Sequence, residues 1–426
     1  MTLQDYPRLD EQIYHRVLPN GLTVMVVPRP GFQKKLAYFA VDFGSIHRRF
    51  IWEGQEHAVP AGIAHYLEHK IFDLPDRDVS GELAELGANV NAFTSYDMTA
   101  YYFSCTQNFD ACLDLLLEFV SVPYFTEESV KKEQGIIDQE IGMNIDAPET
   151  RVFEMLVEGM YRNHDIRTPI LGTSQSIRQI TPELLSLCHE AFYTPGNMVL
   201  CVVGDVDPEK VAQAAEKRLG TAQRPVGEKL WEEPEEMTCP EPMRQAVMEV
   251  SMPTFQLAFK CEPIGKGEAS VRSEIIGDLA AEALFGEASP LYLKLYDQGL
   301  IDTSFGGGFE MADGCAFLTC GGDSRDPEAV RAAILDQAER LSREGLEEED
   351  FVRMKRSAMG RRIRDLDSFD STCFRLCAYH FSQFDYFRFP EIYEAVTVQD
   401  IQTFLAKSVQ KERCALSVIR PVKEEL

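Results

Sequence analysis

The chain has 426 residues, of which 45% are hydrophobic and 26% charged, and its 42 Lys plus Arg against 69 Asp plus Glu give a formal net charge of −27. At about 150 residues per domain that length predicts two or three domains, with two the better fit, and the composition excludes a disordered or fibrous chain. The acidity disfavours nucleic acid and anionic membrane surfaces and suits a basic or neutral peptide, although solubility alone would also account for it.

The N-terminus, MTLQDYPRLDEQ, has neither a basic nor an apolar region and does not read as a secretory signal. Apolar runs such as Met198–Val203 are too short to span a bilayer. The 11 cysteines are scattered and never spaced C-x-x-C, which points to a reducing cytoplasm rather than a disulfide framework or a cysteine zinc site.

The first informative segment is AGIAHYLEHKIF, residues 61–72. Pro60 and Gly62 permit a helix start, and Ile63, Leu67 and Ile71 recur at helical spacing as a core stripe. His65, Glu68 and His69 gather on roughly the opposite side. Two histidines one turn apart can reach a single metal ion, with Glu68 placed between them to hold a metal-bound water. The spelling H-x-x-E-H is the inverted zinc-protease motif. The plainer alternative is a polar helix face with two unrelated histidines.

Strands follow in NVNAFTS and SYDMTAYYF, then a helix in TEESVKKEQGIIDQEIGMNIDAP. Thr126 caps that helix, Glu127 and Glu128 occupy its first turn, and Pro148 closes it. On its wheel Glu133 and Glu140 fall between Ile136 and Ile137, inside the apolar stripe. Carboxylates buried there need a cation or hydrogen-bond donors to offset them. A metal held by His65 and His69, which needs a third protein ligand, would serve. The alternative is a loosely packed helix whose acids reach water.

A helix starting at Thr181 leads into the buried strand Met198–Val203. From Thr221 to Pro253 the prolines 225, 234, 240, 242 and 253 stand among acids, predicting an extended connection. The flanking halves look like copies. The helix and strand from Thr397 repeat those from Thr181, Cys414–Ile419 aligns with Met198–Val203 at an offset of 216, and the same offset places Asp313–Ala316 over Asp97–Ala100. The predicted fold class is therefore α+β. Two homologous domains, 1–220 and 246–426, would each be a mostly antiparallel β-sheet with helices packed on one face, joined by a Pro/Glu-rich linker at 221–245. Of the weaker features, Gly306–Gly308 with Phe309 reads as a turn or a substrate-contacting loop, and Cys373 with Cys377 as buried packing. His164 reads as a loop residue ordering its turn, and RMKRSAMGRRIR as an exposed helix face or, alternatively, a face that meets the acidic body of a partner subunit.

Residues 65–203 resemble the catalytic half of the insulinase/pitrilysin zinc peptidases, nearest to the bacterial YmfH-type branch. The matching stretches are GIAHYLEHKIF, ELGANVNAFTSYDMTAYYF, PYFTEESVKKEQGIIDQEIGMNIDAPETR, NHDIRTPILGTSQSIRQIT and FYTPGNMVLCVVGDVDPE, in the family's order. The C-terminal half resembles the family's non-catalytic domain more faintly. The resemblance implies zinc bound by His65, His69 and Glu140, with Glu68 as general base and Glu133 supporting the site without ligating. It implies an endopeptidase acting on short unfolded peptides held between two domains. The peptide would be added as a strand along NVNAFTS, making Asn91, Ala92 and Phe93 substrate contacts; ordinary strand alternation is the other reading of those three.

One departure bears on partners. Active relatives offer an Arg and a Tyr from the second domain, in a segment resembling L-R-E-x-x-G-L-A-Y. Here LYLKLYDQGLIDTSF places Tyr296 at the Arg position and Asp302 near the Tyr position. Either Lys294 or a neighbour fills that role, or a homologous zinc-less subunit supplies it in a heterodimer; a homodimer is also open. The rival class is a non-catalytic scaffold of the same fold. An oxidoreductase or nucleotide enzyme finds no G-x-G-x-x-G after a strand.

Overall fold

A computed structural model describes residues 1–75, 77–231 and 234–422. They form two compact units. The first comprises Met1–Ile141, Pro169–Leu230 and Ile363–Phe387; the second comprises Gly142–Thr168, Trp231–Arg362 and Arg388–Leu426.

The first unit is built on a seven-stranded sheet in the order Thr2–Tyr6, Glu11–Val17, Thr23–Pro28, Met198–Gly204, Lys35–Val41, Thr99–Cys105, Asn89–Thr94. Every neighbouring pair is antiparallel except Thr23–Pro28 with Met198–Gly204. The second unit has a five-stranded sheet, Met243–Met248, Cys414–Pro421, Thr254–Cys261, Cys315–Asp323, Gly306–Ala312, again with only its first pair parallel. The last five strands of the first sheet and the five of the second thus share one order and one pattern of strand sense. The duplication read from the repeated segments is present in the topology.

The central strands MVLCVVG and KLAYFAV are buried along nearly their whole length. Near-continuous apolar runs of this kind belong to sheets covered on both faces. Leu200, Val202, Phe39 and Val41 face one core together with helices Ile63–Ile71, Phe109–Ser121 and Pro182–Phe192. The alternate residues face a helix from the other end of the chain, Phe369–Phe381: the Cys373 thiol lies 3.8 Å from the Cys201 carbonyl oxygen, and Phe374 packs 5.8 Å from Phe93. Reciprocally, helix Pro148–Met160 lies on the second unit's sheet, where the Ser417 hydroxyl donates to the Val152 carbonyl at 2.7 Å. Val152 and Cys373 are each the fifth residue of a 13-residue helix, and Cys201 and Ser417 each the fourth of a strand. Each half has therefore exchanged the equivalent helix.

That exchange changes the expected division of the chain. A single cut at 221–245 leaves helix 148–160 with the first sheet and 369–381 with the second, whereas each packs on the sheet of the other half. The expected linker is also partly structured. Glu228–Lys229 pairs with Phe50 and Ile51, and Met243, inside the expected linker, already opens a strand. The Glu235 carboxylate accepts the backbone N–H groups of Arg162, Asn163 and His164 while pairing with the buried ammonium of Lys260. Glu232 and Glu233 of that segment lie outside the described residues.

Two smaller expectations also change. Gly306–Gly308 is neither a loop nor a turn but the start of a strand paired with Thr319, Cys320 and Gly321. In the basic helix Glu348–Arg364, Arg362 is buried and pairs with Glu274 at 2.6 Å instead of facing solvent. Cys373 and Cys377 are buried as expected. All 11 cysteines are free and buried. Among the described residues, no helix is long and apolar enough to cross a membrane.

Candidate metal centre and substrate edge

The motif helix, Ile63–Ile71, starts at Gly62, whose φ of +88° is a conformation other residues rarely adopt. A Cβ at Gly62 would stand 2.4 Å from the Leu171 carbonyl oxygen. Ile63, Leu67 and Ile71 anchor the helix in the core as the periodicity predicts. Between them His65 and Glu68 are buried and His69 is half-buried.

The second helix spans Glu127–Ile145, and the Thr126 hydroxyl accepts the N–H of Ser129 at its start. A separate helix begins at Pro148. The buried stripe of helix Glu127–Ile145 is Val130, Ile137 and Ile141, while Ile136 is 46% exposed. Glu133 and Glu140 therefore flank the apolar stripe instead of lying inside it. That rotation turns both toward the histidines.

His65 Nε2 lies 3.7 Å from Glu140 Oε1, and His69 Nε2 lies 3.7 Å from Glu140 Oε2. One donor atom from each of the three residues falls within 4.8 Å of the others. His69 Nδ1 meets Glu133 Oε1 at 2.9 Å. Because an ionised carboxylate only accepts, Nδ1 carries a proton, so that in the neutral ring Nε2 is the nitrogen whose lone pair faces the cluster. The buried Nδ1 of His65 finds no partner among the described residues.

The electrostatics match a site built for a cation. Burial, with a smaller push from His69, pulls the His65 pKa down to about 3, which keeps its imidazole neutral. Burial pushes the Glu68 pKa up, against the opposing hydrogen bond from Thr94. The hydrogen bond from His69 holds Glu133 below its usual value. Burial works against the charged form of His69, but Glu133, Glu68 and Glu140 together outweigh it and raise its pKa. Three carboxylates converge on two imidazoles. This donor set fits zinc, which binds imidazole nitrogen and carboxylate oxygen.

Strand Asn89–Thr94 forms the end of its sheet, and no described strand pairs with its outer side. Val90 and Ala92 pack toward the core that holds the motif helix, and Thr94 reaches Glu68. Phe93 points to the other face, among Tyr38, Tyr102 and Phe374. Asn91 is exposed, and its side-chain oxygen accepts the N–H of Ala92 at 2.9 Å. The structure thus brings His65, Glu68, His69, Glu133 and Glu140 together and leaves the Phe93 ring on the opposite side of the sheet.

A model of the insulinase family, peptidase family M16, matches residues 53–174, and a model of the M16 inactive domain matches residues 179–358. The chain is 36% identical over 428 residues to the "uncharacterized zinc protease YmfH" of Bacillus subtilis, covering 98% of each. The chain belongs to the insulinase (M16) family of peptidases. It shares 34% identity over 164 residues with a second B. subtilis protein of that description, YmxG, covering 37% of this chain and 40% of the relative. The crystal structure of an M16-like peptidase from Alicyclobacillus acidocaldarius superposes with a TM-score of 0.93 at 32% identity, covering 97% of this chain and 99% of that one. A Helicobacter pylori protease, 19% identical with a TM-score of 0.80 over 96% of this chain and 100% of that one, shares the fold.

Two residues of this M16 chain escaped the sequence reading. The Tyr66 hydroxyl donates to the Val130 carbonyl, tying the histidine helix to the glutamate helix. The Thr94 hydroxyl donates to Glu68 Oε2 at 2.6 Å. Tyr66 sits inside the motif, and its burial next to His65 was a usable signal. Thr94 gave none, since a Thr ending a strand has no expected partner.

Proposed function

We propose that this chain is a zinc-dependent endopeptidase in which His65, His69 and Glu140 hold the metal and Glu68 is the general base. The observation that carries this reading is the convergence of His65 Nε2, His69 Nε2 and the Glu140 carboxylate, with histidine–carboxylate separations of 3.7 Å. Those gaps are too long for hydrogen bonds and suit ligands around one small ion. The names of the zinc-protease relatives support the choice of metal. When bound, zinc supplies Lewis-acid polarisation of a peptide carbonyl and lowers the pKa of water toward about 7.

The remaining work belongs to side chains. Glu68 takes a proton from the attacking water and returns it to the leaving amine. Glu133 holds the His69 ring so that its Nε2 faces the metal. A peptide in extended form adds to the free edge of Asn89–Thr94, where Asn91 and Ala92 meet it and Phe93 contributes its backbone. In this reading residues 1–220 carry the chemistry, residues 246–426 form the homologous non-catalytic half, and the site of action is the cytoplasm.

A partner-dependent form of the same activity is favoured by one observation. The Asp302 carboxylate accepts both the N–H and the hydroxyl of Ser304, at 2.8 and 2.6 Å, and those bonds lower its pKa. An ionised acceptor cannot donate to a developing oxyanion. A homologous zinc-less subunit would then supply the missing donors. Metal analysis of the purified chain, with digestion of a mixed peptide library by wild type and Glu68→Gln, tests the proposal. Zinc-free protein that still cleaves, or equal cleavage by both, would refute it.

A further inference from the structure

We propose that Thr94 is a positioning residue for Glu68: its hydroxyl fixes the carboxylate of the general base and thereby ties the base to the strand along which substrate is added. This rests on the reading of Glu68 given above. Glu68 is 9% exposed, and its hydrogen bond to Thr94 Oγ1, at 2.6 Å, is the one its side chain makes among the described residues.

The terminal torsion of a glutamate is soft and broad, so a carboxylate with no partner samples many orientations. One donor on Oε2 removes that freedom and leaves Oε1 as the oxygen that takes the proton. A general base must stand within hydrogen-bond reach of its water, and a misplacement of about 1 Å can cost on the order of 100-fold in rate.

Thr94 is itself well held. It is β-branched and therefore stiff at χ1. It pairs across the sheet with Thr99, whose fully buried hydroxyl donates to the Phe43 carbonyl at 2.9 Å and lies 3.5 Å from Thr94 Oγ1. Thr94 is thus packed against a hydroxyl anchored in the sheet interior while its own proton goes to the base. Asn91, Ala92 and Phe93 precede Thr94 on the same strand. A peptide docked on that strand is in fixed register with the residue that orients the base.

The test uses the full chain carrying Thr94→Val, Thr94→Ser or Glu68→Gln, with kcat, KM and zinc content measured for each. Valine keeps the shape and removes the donor. Its kcat is expected to fall about 10- to 100-fold with KM and zinc unchanged, while serine keeps most of the rate. A Thr94→Val enzyme with wild-type kcat, or a serine variant as slow as valine, overturns the proposal. Near wild-type turnover by Glu68→Gln would instead sink the general-base reading. If the chain turns nothing over without a partner, crystal structures of wild type and Thr94→Val decide. Displacement or multiple conformers of the Glu68 carboxylate in the variant support the role, and an unmoved carboxylate overturns it.

Discussion

His69 Nδ1 lies 2.9 Å from Glu133 Oε1, so a carboxylate on one helix sets which nitrogen of a histidine on another is free to bind metal. In the proposed site Glu133 would act on the metal without ligating it. The proposed ligand set predicts one zinc per chain, removable by a strong chelator. His65→Ala and His69→Ala should lose most of it, and Glu140→Gln should weaken it. Glu133→Gln should retain zinc stoichiometry at saturation but bind about 10- to 100-fold more weakly. Competition with a chromogenic chelator measures this. Stoichiometric, tightly held zinc in both histidine variants would contradict the assignment.

Glu68→Gln separates binding from chemistry. It keeps the shape and the acceptor for Thr94 but cannot take a proton. Turnover should drop by about 10²–10⁴ while zinc content and peptide affinity hold. Single-turnover kinetics with a fluorogenic peptide would check this, and a near wild-type rate would remove Glu68 from the mechanism.

The isolated chain is expected to bind zinc yet cleave peptides slowly, because Asp302 is locked as an acceptor by Ser304. Adding a homologous subunit without H-x-x-E-H should restore the rate. Robust zinc-dependent turnover by the chain alone would show that Lys294 or another donor suffices.

Tyr66→Phe removes the hydrogen bond that the Val130 carbonyl accepts from outside its own helix. The expected loss is about 0.5–1.5 kcal/mol of stability, read as a lower urea midpoint with an unchanged slope. Zinc affinity should fall with it if the bond sets the register between the two helices that carry the proposed ligands. An unchanged midpoint would assign that register to packing alone.

His189 gives a pH signature. It is buried beside Phe125 and Tyr193, with Nε2 donating to the Val120 carbonyl at 3.0 Å, and burial pulls its pKa down to about 4. The unfolded chain, titrating near about 6.5, binds more protons than the folded one between those values. Stability present above the unfolded pKa is therefore lost as pH falls toward 4, by roughly 3 kcal/mol at most. His189→Gln keeps a donor for Val120 without the charge change. Urea midpoints at pH 7 and pH 5 should converge in the variant relative to wild type. Parallel losses in both proteins would assign the acid sensitivity elsewhere.

Much of the site was legible in the sequence because its geometry is local. His65, Glu68 and His69 sit within five residues on one helix, and helical periodicity alone brings them onto one face. Glu133 and Glu140 were legible as acids out of place beside an apolar stripe, although the wheel set them too deep: Ile136 is exposed, and the helix is rotated so that both acids reach the histidines. The duplication was also legible, since repeated strand residues at one offset survive as one repeated sheet order.

What only the tertiary structure decided involves partners far apart in the chain. An apolar helix face states that it will be buried but not against what, because hydrophobic burial is non-directional. Helices 148–160 and 369–381 therefore read as belonging to the halves that encode them, yet each packs on the other half's sheet, Val152 against Ser417 and Cys373 against Cys201. Thr94 on Glu68 and Tyr66 on Val130 are likewise hydrogen bonds between elements whose spacing in sequence carries no period. Local periodicity determined the faces of this protein; which face meets which was settled by the packing of the whole fold.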